Sequence, residues 1–206
     1  MGLDYSYMLY FKWDQLEEVL LGVSEFAEKH LPQTRIVFPN HVLEIPFDLD
    51  LSGDETFRYD DAEIGFTTAL IFEEDEAILD WGHSQDVTDN NRPPPGKGLQ
   101  FPVSVGCIYL TVYNDLSIYY PEIDLDLQDL VLFNFGTTGT RMSTLFYYST
   151  SIRTQFVELL RKHRGVCGIF NMEEEGEVFW LNGAPVRMSI EDVWISPDEI
   201  RRRFAN

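Results

Sequence analysis

The chain has 206 residues, with 35 Asp and Glu against 15 Lys and Arg, and a net charge of −20 at neutral pH. Hydrophobic residues make up 44% of it, including 15 Phe, 10 Tyr and 4 Trp, which excludes a disordered acidic tail because so much apolar surface must be buried. The charge repels phosphate backbones and anionic lipid, so nucleic-acid binding and membrane association are excluded as expectations, and a basic protein surface is the expected partner.

In chain order, Met1-Gly2-Leu3-Asp4-Tyr5-Ser6 matches the loose template for N-myristoylation. It is read as coincidence, since one acyl chain anchors only marginally without a basic patch. Alternation of Tyr5, Tyr7, Leu9 and Phe11 predicts a strand over 5–12. Asp14 then stands three residues before Glu17, and Leu16, Val19, Leu20, Val23, Phe26, Ala27 and His30 recur at helical spacing. This predicts a helix over 14–30 with Glu25 and Lys29 paired on it.

Extended runs follow at 35–38 and 41–47, then a polar stretch over 48–61. Ile64, Phe66, Thr68, Leu70 and Phe72 alternate as one face of a strand, and 77–81 reads as its hairpin partner across the turn Glu73-Glu74-Asp75-Glu76. The apolar pattern stops over 82–100, where Pro93-Pro94-Pro95-Gly96 marks a long loop. Strands are predicted at 103–113, 116–120, 130–135, 143–148, 166–171 and 177–181. Ser151 caps a helix over 151–163, with Ile152, Phe156, Leu159, Leu160 and His163 on one stripe and Glu158 paired to Lys162. Ser196-Pro197-Asp198-Glu199 opens a short C-terminal helix that finishes in Arg201-Arg202-Arg203.

The expected fold is α+β, a mainly antiparallel or mixed sheet with two main helices (14–30 and 151–163) and a short C-terminal helix. Residues 1–206 are expected to form one domain, and any division into two lobes would fall near 82–100. The strand and helix over 5–30 are echoed in order by 145–163, a pattern that an internal duplication would leave. Cys107 and Cys167 lie in apolar runs and are expected as core thiols, which implies a reducing, cytoplasmic setting.

Fifteen acidic residues fall between Glu44 and Asp89, with Arg58 the one basic residue among them. Asp48, Asp50, Ser52 and Gly53 reproduce the front of a calcium loop, but Tyr59 occupies the place of its final bidentate carboxylate, so an acidic turn is expected. Asp80, His83 and Asp86, spaced three apart, are candidate ligands of a divalent transition metal. Gly136-Thr137-Thr138-Gly139-Thr140 has the glycines of a phosphate cradle, but a strand predicted after it makes it a hairpin turn. Tyr119-Tyr120 and Phe146-Tyr147-Tyr148 are read as core, and no known pairing of nucleophile and base is present.

These features imply an acidic protein-interaction module that docks a basic partner. An inhibitor of the immunity type, covering the cationic site of a toxin, is its concrete form on grounds of charge and size. The docking carboxylates are expected at Asp48, Asp50, Asp54, Asp60, Asp61, Glu73, Glu74 and Asp75. The alternative is a metal-assisted hydrolase or small-ligand protein built on Asp80, His83 and Asp86, with a divalent cation as its only cofactor.

Overall fold

The first strand already divides the interior in two. Along Ser6–Lys12 the side chains of Tyr7, Leu9 and Phe11 join one apolar cluster, those of Met8 and Tyr10 join another, and all five are buried. A strand with no solvent face belongs at the centre of a covered sheet. The computed structural model describes residues 3–29, 33–49, 56–85, 103–120, 129–137, 139–191 and 195–204.

The strands are β1 (Ser6–Lys12), β2 (Thr34–Val37), β3 (Val42–Ile45), β4 (Asp48–Leu49), β5 (Thr56–Arg58), β6 (Glu63–Phe72), β7 (Val103–Tyr113), β8 (Leu130–Gly136), β9 (Cys167–Asn171), β10 (Gly176–Leu181) and β11 (Ala184–Ile190). Eight of them form one antiparallel sheet in the order β11-β10-β9-β1-β8-β7-β6-β4. A smaller sheet, β3-β2-β5, contains the parallel pair β2 and β5. Strands on both sides of residues 82–100 share the large sheet, because β6 and β7 pair from Glu63 opposite Tyr113 to Phe72 opposite Val103.

The helices are α1 (Leu16–Ser24), α2 (Glu76–Gln85), α3 (Leu116–Tyr119), α4 (Thr140–Tyr148), α5 (Thr150–Lys162) and α6 (Pro197–Phe204). Residues of α1, α4 and α5 bury their apolar stripes on the sheet face that carries Tyr7, Phe66, Phe133 and Phe170. Leu116 of α3 and Ile200 of α6 cover the other face, against Met8, Tyr10, Leu132 and Ile169. The α+β class with an antiparallel-rich sheet therefore stands, but the expectation of two main helices does not.

Three predicted strands are helices. In α4 the buried residues are Met142, Ser143, Leu145 and Phe146, a helical stripe hidden in a sequence of strand-favouring aromatics. Packing of that stripe overrides local propensity. In α2 the acidic turn is a capped helix start, and β6 finds its partner in β7 instead of a hairpin with 77–81. Residues 116–119 form the single turn α3, capped by the Asp115 carboxylate on the Ser117 N–H. The proposed echo of 5–30 in 145–163 loses its basis, since Leu145 to Tyr148 lie in a helix.

The first helix is shorter than its apolar spacing suggests. A 3₁₀ turn occupies Trp13–Gln15, the α-helix ends at Ser24, and residues 26–28 turn onto the edge of β6, where Glu28 donates to the Ala69 carbonyl at 2.9 Å. Phe26 and Ala27 stay buried, so the periodic signal reported burial correctly and geometry incorrectly. Glu25 pairs with Lys162 of α5 at 2.5 Å, not with Lys29, and Glu158 pairs with Arg161. Two edge elements, β5 and β11, are short or mostly exposed and carry little apolar pattern to announce them.

Candidate docking surface

The acidic run at the head of α2 is built around Asp75. One of its carboxylate oxygens accepts the Ile78 N–H of α2 at 2.9 Å; the other accepts the Ser151 N–H at 2.8 Å and the Ser149 hydroxyl at 2.7 Å, at the start of α5. A single side chain thus caps two helices, satisfying backbone donors that helix starts leave open. Burial is the largest influence on this carboxyl and would raise its pKa, but the hydrogen bonds from Ser151, Ile78, Ser149 and Thr150 together hold it below the usual Asp value.

The next residues of the same run are placed differently. Glu76 and Asp80 are exposed one turn apart on α2, and among the described residues no ion pair or hydrogen bond engages either. They form one wall of a groove of about 480 Å³ between α2 and α4. Trp81 shares that wall, Leu145 lies at the floor, and Tyr148 with Arg141 forms the opposite side. Beyond Trp81 and Arg141 lies a second cavity of about 710 Å³, bounded by Gly106, Cys107 and Gly139. Cys107 borders it because β7 bulges opposite Thr68 and Leu70 and holds Cys107 at φ 59°; the thiol is exposed, which corrects the expectation of a core cysteine. Cys167 is buried as expected.

At the C-terminal end of α4, Tyr147 and Tyr148 are the most exposed large apolar side chains among the described residues, at 53% and 66%. Their rings meet edge to face at 4.9 Å, and Tyr147 packs against Tyr5 and Phe170. Tyr5 leads to the turn between β9 and β10. Its pKa is raised by burial first and then by Glu173, Tyr147, Glu175 and Tyr148, which places those groups around it. Glu173, Glu174, Glu175 and Glu191 line a hollow of about 380 Å³ there. Glu173 is held at φ 75° as its N–H donates to Asn171 Oδ1, and its carboxylate accepts the Asp4 N–H at 2.8 Å.

The sequence-predicted carboxylates are dispersed. Asp48 is half-buried in β4 opposite Thr67, and Asp50 and Asp54 fall outside the described residues. Asp60 is engaged by Arg58 at 3.0 Å, which lowers its pKa, and Asp61 accepts the Arg58 N–H at 2.7 Å. Glu73 is exposed, whereas Oε1 of Glu74 is shielded and lacks a hydrogen-bond partner among the described residues. Helix α2 brings Asp80 and His83 to successive positions three apart, continuing through Gly82; Asp86 lies outside the described residues. Among the described residues no group of three or more metal-binding side chains converges. No described helix is long and apolar enough to cross a membrane.

Gly136 ends β8 and Thr140 begins α4, so a helix follows where the sequence predicts the hairpin's second strand. The described hydroxyls of this stretch, those of Thr137 and Thr140, are nonetheless committed to the fold. Thr137 Oγ1 and Ser143 Oγ lie 2.7 Å apart, Ser143 donates to the Leu3 carbonyl at 2.5 Å, and Thr140 Oγ1 accepts the Leu3 N–H at 3.1 Å. The aromatic runs split: Tyr120 and Phe146 are core as expected, while Tyr147 and Tyr148 are not. The missed signal was the spacing of Met142, Leu145 and Phe146, which turns the next two residues outward on a helix. Comparison of the chain with known protein families, with curated proteins and with solved structures finds no match in any of the three.

Proposed function

We propose that the chain is a protein-interaction module that docks a basic partner, and that its docking face runs from Glu76 and Asp80 across Tyr148 and Tyr147 to Glu173 and Glu175. The observation that carries this reading is the exposure of Tyr147 and Tyr148 side by side between two groups of carboxylates. Tyrosines supply large contact area at low entropic cost and concentrate binding energy at interfaces. Flanking carboxylates steer a basic surface and set its orientation. An inhibitor of the immunity type, covering a cationic site, is the concrete form of this activity. Of the expected docking carboxylates, Asp75 is committed within the fold and Asp60 is neutralised by Arg58, so Glu76 and Asp80 take their place.

The test is co-purification at two salt concentrations. The reading expects one enriched protein of high pI, lost on Tyr147→Ala/Tyr148→Ala and weakened by salt. Capture that ignores both the tyrosines and the salt contradicts it. The metal-assisted or small-ligand alternative draws on Asp80 and His83 in α2 and on the size of the groove. A saturable, stoichiometric rise in Tm of the metal-stripped protein with calcium, zinc or manganese, lost in His83→Ala, would favour it over docking.

A further inference from the structure

The groove between α2 and α4 has a composition that selects among cations. One wall offers two carboxylates, Glu76 and Asp80, aligned on one helix face and unpaired among the described residues. Aromatic rings, Trp81 and Tyr148, stand beside and across from them. Leu145 and Ala77 make the floor apolar. At about 480 Å³ the groove holds one extended side chain with its waters, and is small for a folded element.

We propose that this groove is the anchor site for an arginine side chain of the basic partner; the inference rests on the docking reading. Guanidinium is planar, stacks on aromatic faces and forks onto carboxylates, and it sheds water more readily than an ammonium group. Lysine satisfies the charge but neither the stacking nor the fork. Among the described residues Arg141 is the one basic residue lining the groove, and it lies where the groove meets the second cavity, whose described lining has no carboxylate. The arginine therefore enters from the Glu76 and Tyr148 end, and Arg141 opposes it electrostatically. This gives the proposal a sign that a site for an anionic ligand would reverse.

The experiment is a titration of the full chain with N-acetyl-arginine amide and N-acetyl-lysine amide, followed by ¹H–¹⁵N correlation spectra. Saturable shifts confined to the Trp81 indole and the amides of α2 and α4 are expected, with arginine favoured by about fivefold. Glu76→Gln/Asp80→Asn weakens the arginine midpoint by about tenfold at low salt, and Arg141→Ala strengthens it. Equal midpoints for the two amides, shifts spread over the whole acidic surface, or weakening by Arg141→Ala each overturn the proposal. If arginine shows no preference while capture of a basic partner still depends on Tyr147 and Tyr148, the anchor fails and the docking face stands. Loss of both dependences removes the docking reading as well.

Discussion

Asp75 and Asp80 belong to the same acidic run, yet they have opposite positions in the molecule. Asp75 accepts hydrogen bonds from the starts of two helices and ties α2 to α5. Asp80 faces a groove with no described partner, beside Glu76 and opposite Tyr148. Charge density in a sequence therefore says little about use. The donors that reach Asp75 make it part of the fold, whereas none among the described residues reaches Asp80.

The largest effect is expected where the donors are densest. Asp75→Ala should destabilise the chain by about 2 to 4 kcal/mol in urea unfolding, since it removes the cap of α2 and the bonds to the Ser151 N–H and Ser149 hydroxyl at the start of α5 together. Because hydrogen bonding holds the folded pKa below the ordinary 3.8, this stabilisation is present above that value and is lost as pH falls through the folded pKa. Asp75→Asn should recover part of the stability and flatten the acid limb. A loss no larger than that of Glu76→Gln would break the comparison.

A second contrast sets satisfied against unsatisfied groups in the interior. His163 is only 8% exposed, its Nε2 has no hydrogen-bond partner among the described residues, and it abuts Gly22 of α1. A Cβ at Gly22 would lie 2.4 Å from that nitrogen, so Gly22→Ala should cost about 1 to 3 kcal/mol through overpacking. Burial foremost, then Lys162, lowers the His163 pKa below 6.5, against the opposing pull of Glu18 on α1 and Glu25 just past its end. The unfolded chain then takes up the proton first. Stability should be level above about pH 6.5 and fall as pH drops from there through the folded pKa. Urea midpoints of His163→Leu should lack that slope; an unchanged slope would assign it to other groups.

Smaller effects on stability, with larger ones on binding, are expected at the exposed end of the comparison. Tyr148→Ala should change unfolding by no more than about 0.5 kcal/mol while reducing partner affinity by about 2 kcal/mol, as an interface anchor does. Glu76→Gln/Asp80→Asn should leave Tm unaltered and reduce the salt dependence of association, measured by calorimetry at two ionic strengths. Equal losses of stability and affinity in either variant would return these residues to the fold.

Much of the sheet was legible because β1, β6, β7, β8, β9 and β10 alternate or run apolar over whole strands. The helix α5 announced itself by its stripe, although its N-cap is Ser149 and not Ser151, and the start of α6 by its Ser196 cap and Pro197. What escaped was context. Leu145-Phe146-Tyr147-Tyr148 has strand chemistry and becomes a helix because Met142, Leu145 and Phe146 are drawn to one side by the sheet beneath. The exposure of Tyr147 and Tyr148 is hidden in the sequence for the same reason, since on a strand their neighbours would alternate and on a helix they turn outward together. Asp75 looked like one more surface acid, because the second helix it caps is distant in sequence.

The most direct measurement is site-specific photocrosslinking in the native cell, with a benzophenone amino acid placed at Tyr148 and, as a control, at Tyr109, which is exposed at 45% on β7. The account predicts one discrete adduct with a basic protein from position 148 and none from position 109. Identical adduct patterns at the two positions, or none at 148 alongside a discrete adduct at 109, would contradict it.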